Sequence, residues 1–390
     1  MKTGIACLVA AYVLSQFYRA FLAVLAPVLK ADLGVGAEDL ATASGVWFLA
    51  FAAAQLPVGW ALDRVGPRLT AVALLACGGA GGAAVFAMAQ TPGAITFAMA
   101  LIGVGCAPVL MAAYYIFARQ FPPAVFATLA SATVGIGSLG NIAGSLPLAR
   151  AVELFGWRET LWAMAAITLA VAALVLIFTR DPVRMTGGAR GSLLDLLRLR
   201  ALWPVFAMMA VCYLAAGALR GLWVGPYYAD VFGADTETVG RATLVMGLAM
   251  VAGNFAYGPL DRLFHTRKWV IFWGNVLSAL ALLALALRPE AGGWITLGLL
   301  SAVGFFGATF AMVIAHGRAF IPPHLVGRGV TLLNLFGIGA VGIAQFLTGR
   351  LHAALPADPP ATPYAALFLV FGLVILLGCL IYLRAEDRVD

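Results

Sequence analysis

Arg19 and Arg220 lie 201 residues apart, each inside an otherwise apolar stretch. A guanidinium is always charged, planar and able to hold a carboxylate, phosphate or sulfonate through two parallel hydrogen bonds. Tyr12, Ser15 and Gln16 precede Arg19 by 7, 4 and 3 residues, while Tyr213 precedes Arg220 by 7 and Trp223 and Tyr227 follow it by 3 and 7. These are spacings of one helical face, so each arginine is expected on a polar and aromatic stripe. All 17 acidic residues fall in loops or at helix ends on this reading, which leaves no carboxylate in mid-helix to neutralise either arginine. Anion binding suits the pattern. Structural arginines bonded to carbonyls, tyrosine hydroxyls or water suit it too, and the residues alone leave both readings open.

Other polar groups in apolar stretches are Tyr114 and Tyr115, Asn141, Asn254 and Asn334, and Gln55 just before Pro57. Each is a candidate for solute contact or for a bond between helices. Met246 and Met250, and Met312 and His316, form pairs one turn apart that keep a metal importer open as an alternative. Cys7, Cys77, Cys106, Cys212 and Cys379 show no CxxC spacing and imply neither a disulfide framework nor a zinc site. No GxxxxGK[ST] motif and no nucleophile-base pair with catalytic spacing is present, so neither an enzyme nor a cofactor is expected.

The elements that position these groups follow from composition. The chain has 390 residues, 63% hydrophobic and 11% charged, against about 25% charged in soluble domains. This is a bilayer protein, and its net charge of +7 concerns membrane sidedness, not nucleic acid. The apolar run that begins near Ile5 is too long for a signal-peptide core and reads as a helix. Twelve helices are expected, near 5–29, 42–62, 69–90, 94–118, 126–149, 160–179, 203–228, 238–260, 269–287, 293–317, 326–349 and 364–383. With the N-terminus inside, the inner segments hold sixteen of the 24 basic residues and the outer segments six, which predicts cytoplasmic termini in a bacterial-type inner membrane.

Landmarks recur near one offset. Tyr12 and Arg19 match Tyr213 and Arg220 at 201, Asp63-Arg64 match Asp261-Arg262 at 198, Pro122-Pro123 match Pro322-Pro323 at 200, and Gly135-Ile136-Gly137 match Gly337-Ile338-Gly339 at 202. The expected organisation is two parallel six-helix bundles, 1–180 and 203–390, joined by a cytoplasmic linker at 181–202. In the fifth helix Gly140 and Gly144 form a small-xxx-small pair suited to close packing.

The loop Gly59-x-x-x-Asp63-Arg64-x-Gly66-x-Arg68 resembles the signature loop of the major facilitator superfamily, and GPLDRLFHTRK from Gly258 to Lys268 resembles its shorter counterpart. ARQFPP from Ala118 and FGWRETLW from Phe155 are similar to other loops of that family. The resemblance implies an all-α fold and alternating access, with Gly59, Asp63, Arg64, Gly66, Arg68, Asp261 and Arg262 forming a conformational gate. It also implies a cavity lined by helices 1, 4, 7 and 10. An arginine in helix 1 followed by Pro27 resembles the organic-anion and sugar-phosphate branches, whereas the Gly-Pro pair of the antiporter signature is missing. The expected protein is a monomeric carrier in the lipid bilayer, moving a small anionic solute by symport or exchange. The alternatives are the metal importer, a neutral-solute carrier and a non-transporting assembly factor.

Overall fold

The computed structural model describes residues 2–121, 123–182, 196–322 and 325–388. Long apolar runs leave no water to satisfy backbone groups in a bilayer, so each run closes its hydrogen bonds internally as a helix. The helices are Lys2–Leu33, Ala37–Arg64, Pro67–Ala87, Pro92–Gln120, Pro123–Ala143 continued by Leu146–Phe155, and Trp157–Phe178. Arg200–Phe232, Thr236–Phe264, Lys268–Leu287, Gly293–Arg318, Val326–Ala354 and Ala361–Tyr382 follow. They are called the first to the twelfth helix below. Among the described residues, 11 spans are long and apolar enough to cross a membrane. Pro123–Ala143 occupies the place of the expected fifth helix. Proline opens several helices, at Pro67, Pro92 and Pro123, where its missing N–H costs nothing.

Several helices expected to be continuous are broken. The fourth divides at Ala107, between Cys106 and Pro108, and the tenth between Phe306 and Phe310. The seventh breaks at Tyr213 and then opens into a π-helical turn over Leu219–Trp223. Apolar periodicity carries no mark of such breaks, because the flanking residues remain hydrophobic. At two breaks a neighbour takes a freed carbonyl: Gln55 Nε2 donates to the Ala107 oxygen at 3.4 Å, and the Tyr257 hydroxyl donates to the Phe306 oxygen at 2.9 Å.

The chain divides into two compact units. The first comprises Met1–Thr186, Val224–Pro226 and Ala234–Leu244. Glycines set its helix spacing: added Cβ atoms at Gly140 and Gly144 would meet the backbone of Val13 and Phe17, so the expected small-residue pair lies directly against the first helix. Gly103 lies similarly against the Trp47 carbonyl, and the Tyr18 hydroxyl joins Thr168 of the sixth helix at 2.8 Å. Within this unit Gly240 sits against Leu146 and Ala149, and Glu237 pairs with Arg150 at 2.5 Å and with Arg241.

The second unit comprises Gly187–Trp223, Tyr227–Gly233 and Val245–Asp390. Phe206 stacks on Phe336 at 4.7 Å, Gly378 receives Val211, and Gly372 receives Leu283. Much of the 181–202 segment expected as a linker lies outside the described residues, but Asp181 at its start is fixed to the third helix.

Candidate functional site

In the first unit the first helix presents Tyr12, Gln16 and Arg19 at i, i+4 and i+7. Tyr12 and Gln16 are buried, Arg19 is half-buried, and Gln16 Nε2 donates to the Tyr12 hydroxyl at 3.1 Å. The Arg19 guanidinium lies 5.5 Å from the Trp47 ring and 5.3 Å from the Phe51 ring, which are themselves stacked at 5.3 Å with 16° between their planes. Among the described residues no carboxylate is paired with Arg19, and its Nε is buried without an acceptor. A mid-bilayer arginine costs about 3 kcal/mol on insertion scales, and a desolvated cation–π contact returns about 2 kcal/mol. The aromatic faces therefore hold the cation in place while its N–H edges keep their capacity for an anion.

In the second unit Arg220 is 2% exposed and lies within the π turn, all five residues of which are buried. Such turns widen the helix and recur at functional sites. Arg19 sits in an unbroken helix, so the two sequence-equivalent arginines occupy different backbones. Tyr213, at the break that precedes the π turn, meets Phe310 edge-on at 5.5 Å. Trp223 and Tyr227 are directed into an aromatic core with Tyr364 and Phe368. Their polar atoms are bonded to protein, Trp223 Nε1 to Thr348 at 3.1 Å and the Tyr227 hydroxyl to the Pro289 carbonyl.

The weaker candidates separate. Tyr114 packs against the cluster that contains Tyr12, whereas Tyr115 lies 4.1 Å beneath the Arg119 guanidinium. Asn141 and Asn334 are half-buried in the fifth and eleventh helices, and Asn254 is exposed, donating to the Met250 carbonyl one turn back at 2.9 Å. His316 has both ring nitrogens engaged, with the Tyr382 hydroxyl at 2.7 Å and the Glu386 carbonyl at 2.9 Å, so its pairing with Met312 presents no vacant nitrogen to a metal.

The loop candidates are linked differently from their order in sequence. Asp63 pairs with Arg119 at 3.8 Å and not with Arg64 or Arg68, while Arg64 is exposed and Gly59 borders open space. Gly66 adopts φ +109°, where a side chain would strain the turn and meet Asp181. In the second unit Asp261 pairs with Arg267 at 3.0 Å, and the side chain of Arg262 lies outside the described residues.

Sequence reasoning missed Trp47 and Phe51, because buried aromatics in an apolar helix give no signal until a cation is seen over them. It also missed Asp181 and Asp387, which act on backbone amides and leave no pairing pattern.

The profile described as Major Facilitator Superfamily matches residues 8–224. No curated protein matches the sequence. Among solved structures the fold is similar to a D-xylose-proton symporter, with 14% identity, TM-score 0.78 and coverage of 99% of this chain and 98% of that one. It is also similar to a bacterial homologue of the human lysosomal transporter Spinster. The inward-facing, occupied form gives 16% identity, TM-score 0.74 and coverage of 97% and 95%. The unoccupied form gives 16% identity, TM-score 0.78 and the same coverages of 97% and 95%. The profile match spans more than half of the chain, and the helical architecture agrees with it: this is a multi-pass secondary transporter, not an enzyme, and it belongs to the major facilitator superfamily.

Proposed function

We propose that the chain carries a small organic anion across a bacterial-type inner membrane by alternating access, with both termini cytoplasmic. Arg19, Tyr12, Gln16 and Tyr114 of the first unit and Arg220 and Tyr213 of the second are the groups assigned to recognise it. The observation that carries the reading is Arg19, a guanidinium in a membrane helix with aromatic faces for support and no carboxylate among the described residues to neutralise it. The burial of Arg220 in the π turn supports it. An inside-negative potential opposes anion entry by about 2.3 kcal/mol per charge per 100 mV, so uptake needs exchange or a co-transported cation. The pairs Asp63–Arg119 and Asp261–Arg267 are assigned to the gate.

Thermal-shift measurements of the purified protein with carboxylates, sulfonates and organophosphates test this, with Arg19→Gln and Arg220→Gln alongside. Stabilisation by one anion class that disappears in both variants is expected. A response that survives both substitutions, or none to any anion, makes the arginines structural and returns the weight to a neutral solute.

A further inference from the structure

We infer that the solute recognised in the first unit bears a hydrogen-bond donor beside its charged group, as a 2-hydroxycarboxylate does, and that Trp47 and Gln16 read these two features. The inference rests on the reading of Arg19 as an anion site. Three buried polar atoms of the first and second helices have no hydrogen-bond partner among the described residues: Arg19 Nε, the indole Nε1 of Trp47, whose ring lies 5.5 Å from the guanidinium, and Oε1 of Gln16, three residues before Arg19. Each such atom is costly where no water reaches it, and three together on two facing stripes mark a place for something else to bind. Tyr12, Gln16 and Arg19 form one stripe, and Trp47, Phe51 and Gln55, at i, i+4 and i+8, form the other.

The chemistry of the three atoms differs, and the difference specifies the ligand. Arg19 Nε and Trp47 Nε1 are donors, so a carboxylate satisfies both. Gln16 Oε1 is a carboxamide oxygen and therefore an acceptor, while one N–H of the same amide is given to the Tyr12 hydroxyl at 3.1 Å. A bare carboxylate offers the Gln16 oxygen no donor, whereas a neighbouring hydroxyl donates to it. Two further polar groups of these helices have protein partners. Gln55 is spent on the Ala107 carbonyl at 3.4 Å, and Ser15 bonds the Cys106 thiol. Trp47 thus has two parts to play, its ring as a support for the guanidinium 5.5 Å away and its N–H as a contact for the anion.

Matched pairs that differ only in the hydroxyl, malate against succinate and lactate against propionate, test this by titration calorimetry on the wild-type protein. A site built to bond a hydroxyl discriminates strongly against the analogue that lacks it, so the hydroxylated member is expected to bind about tenfold tighter or more. Gln16→Leu should bring that ratio near one. Trp47→Phe keeps a ring under Arg19 and removes the N–H, so it should weaken both members alike. The wild-type comparison stands even if a variant fails to fold. Equal binding within a pair overturns the inference and leaves the anion reading intact, with Gln16 presenting its amide N–H. An Arg19-dependent response to a sulfonate or organophosphate, with none to either pair, overturns the ligand class alone. No response to any anion sinks both readings.

Discussion

Asp181 accepts a hydrogen bond at 2.8 Å from the backbone amide of Arg68, 113 residues earlier in the chain. The amide belongs to the first turn of the third helix, whose leading N–H groups have no partner within the helix. Asp387 does the same in the second unit, accepting from Arg267 at 3.2 Å and Lys268 at 3.0 Å at the start of the ninth helix. A carboxylate that caps a helix contributes about 1 kcal/mol, and asparagine serves almost as well. Asp181→Ala is therefore expected to lower the thermal midpoint in detergent, and Asp181→Asn to retain most of it. Equal losses in the two variants would assign the effect to charge and not to capping.

Acidification tests the same contacts at Asp387 and Asp235. At Asp387 partial burial disfavours the charged form, but bonds from Thr266 and the amides of Lys268 and Arg267 outweigh it and hold the pKa below the usual carboxylate value. At Asp235 the side chain and amide of Thr238 lower it. Folded-state values below the unfolded ones mean that both contributions are complete at neutral pH and fade as pH falls through the folded pKa. The thermal midpoint of wild type should fall below about pH 4, and Asp387→Asn should flatten that fall. An unchanged acid limb in the variant would remove Asp387 from the explanation.

Gly140 and Gly135 share a helix but not an environment. A Cβ at Gly140 would enter the backbone of Val13, whereas one at Gly135 meets open space. Overpacking a close helix contact costs about 1–3 kcal/mol. Gly140→Ala should reduce folded yield and thermal midpoint, and Gly135→Ala should leave both near wild type. Similar behaviour of the two would argue against the tight approach of the first and fifth helices.

The apolar lengths and the recurrence near 200 residues made the helices legible, and the resemblance of the loop from Gly59 to Arg68 pointed to the family. Breaks at Ala107 and Tyr213 were not legible, since a helix that loses one hydrogen bond keeps the same hydropathy. The site was legible in part. Arg19 announced itself as a charge in an apolar run, and Tyr12 and Gln16 followed by periodicity. Trp47 did not, because it belongs to another helix and only tertiary packing brings its ring to Arg19. Asp63 stands beside Arg64 and close to Arg68 in sequence, yet its side chain reaches Arg119, which follows it by 56 residues.

His265 has φ +52°, in the left-handed region where its counterpart loop uses Gly66 at +109°. A non-glycine residue there costs about 1–2 kcal/mol. His265→Gly is expected to raise the thermal midpoint, offset in part by the greater freedom of glycine in the unfolded chain. A lowered midpoint would mean that the imidazole makes a compensating contact.

The carbonyls freed in two of the broken helices, the fourth and the tenth, are met by Gln55 in one unit and by Tyr257 in the other. A carboxamide and a phenol are chemically unrelated, yet they sit 202 residues apart in a chain whose other landmarks repeat near that distance. If the repeat descends from duplication of one ancestral segment, divergence has kept the task while exchanging the residue that performs it. Kinship between the halves is then better measured by which backbone atom is tended than by which letters agree.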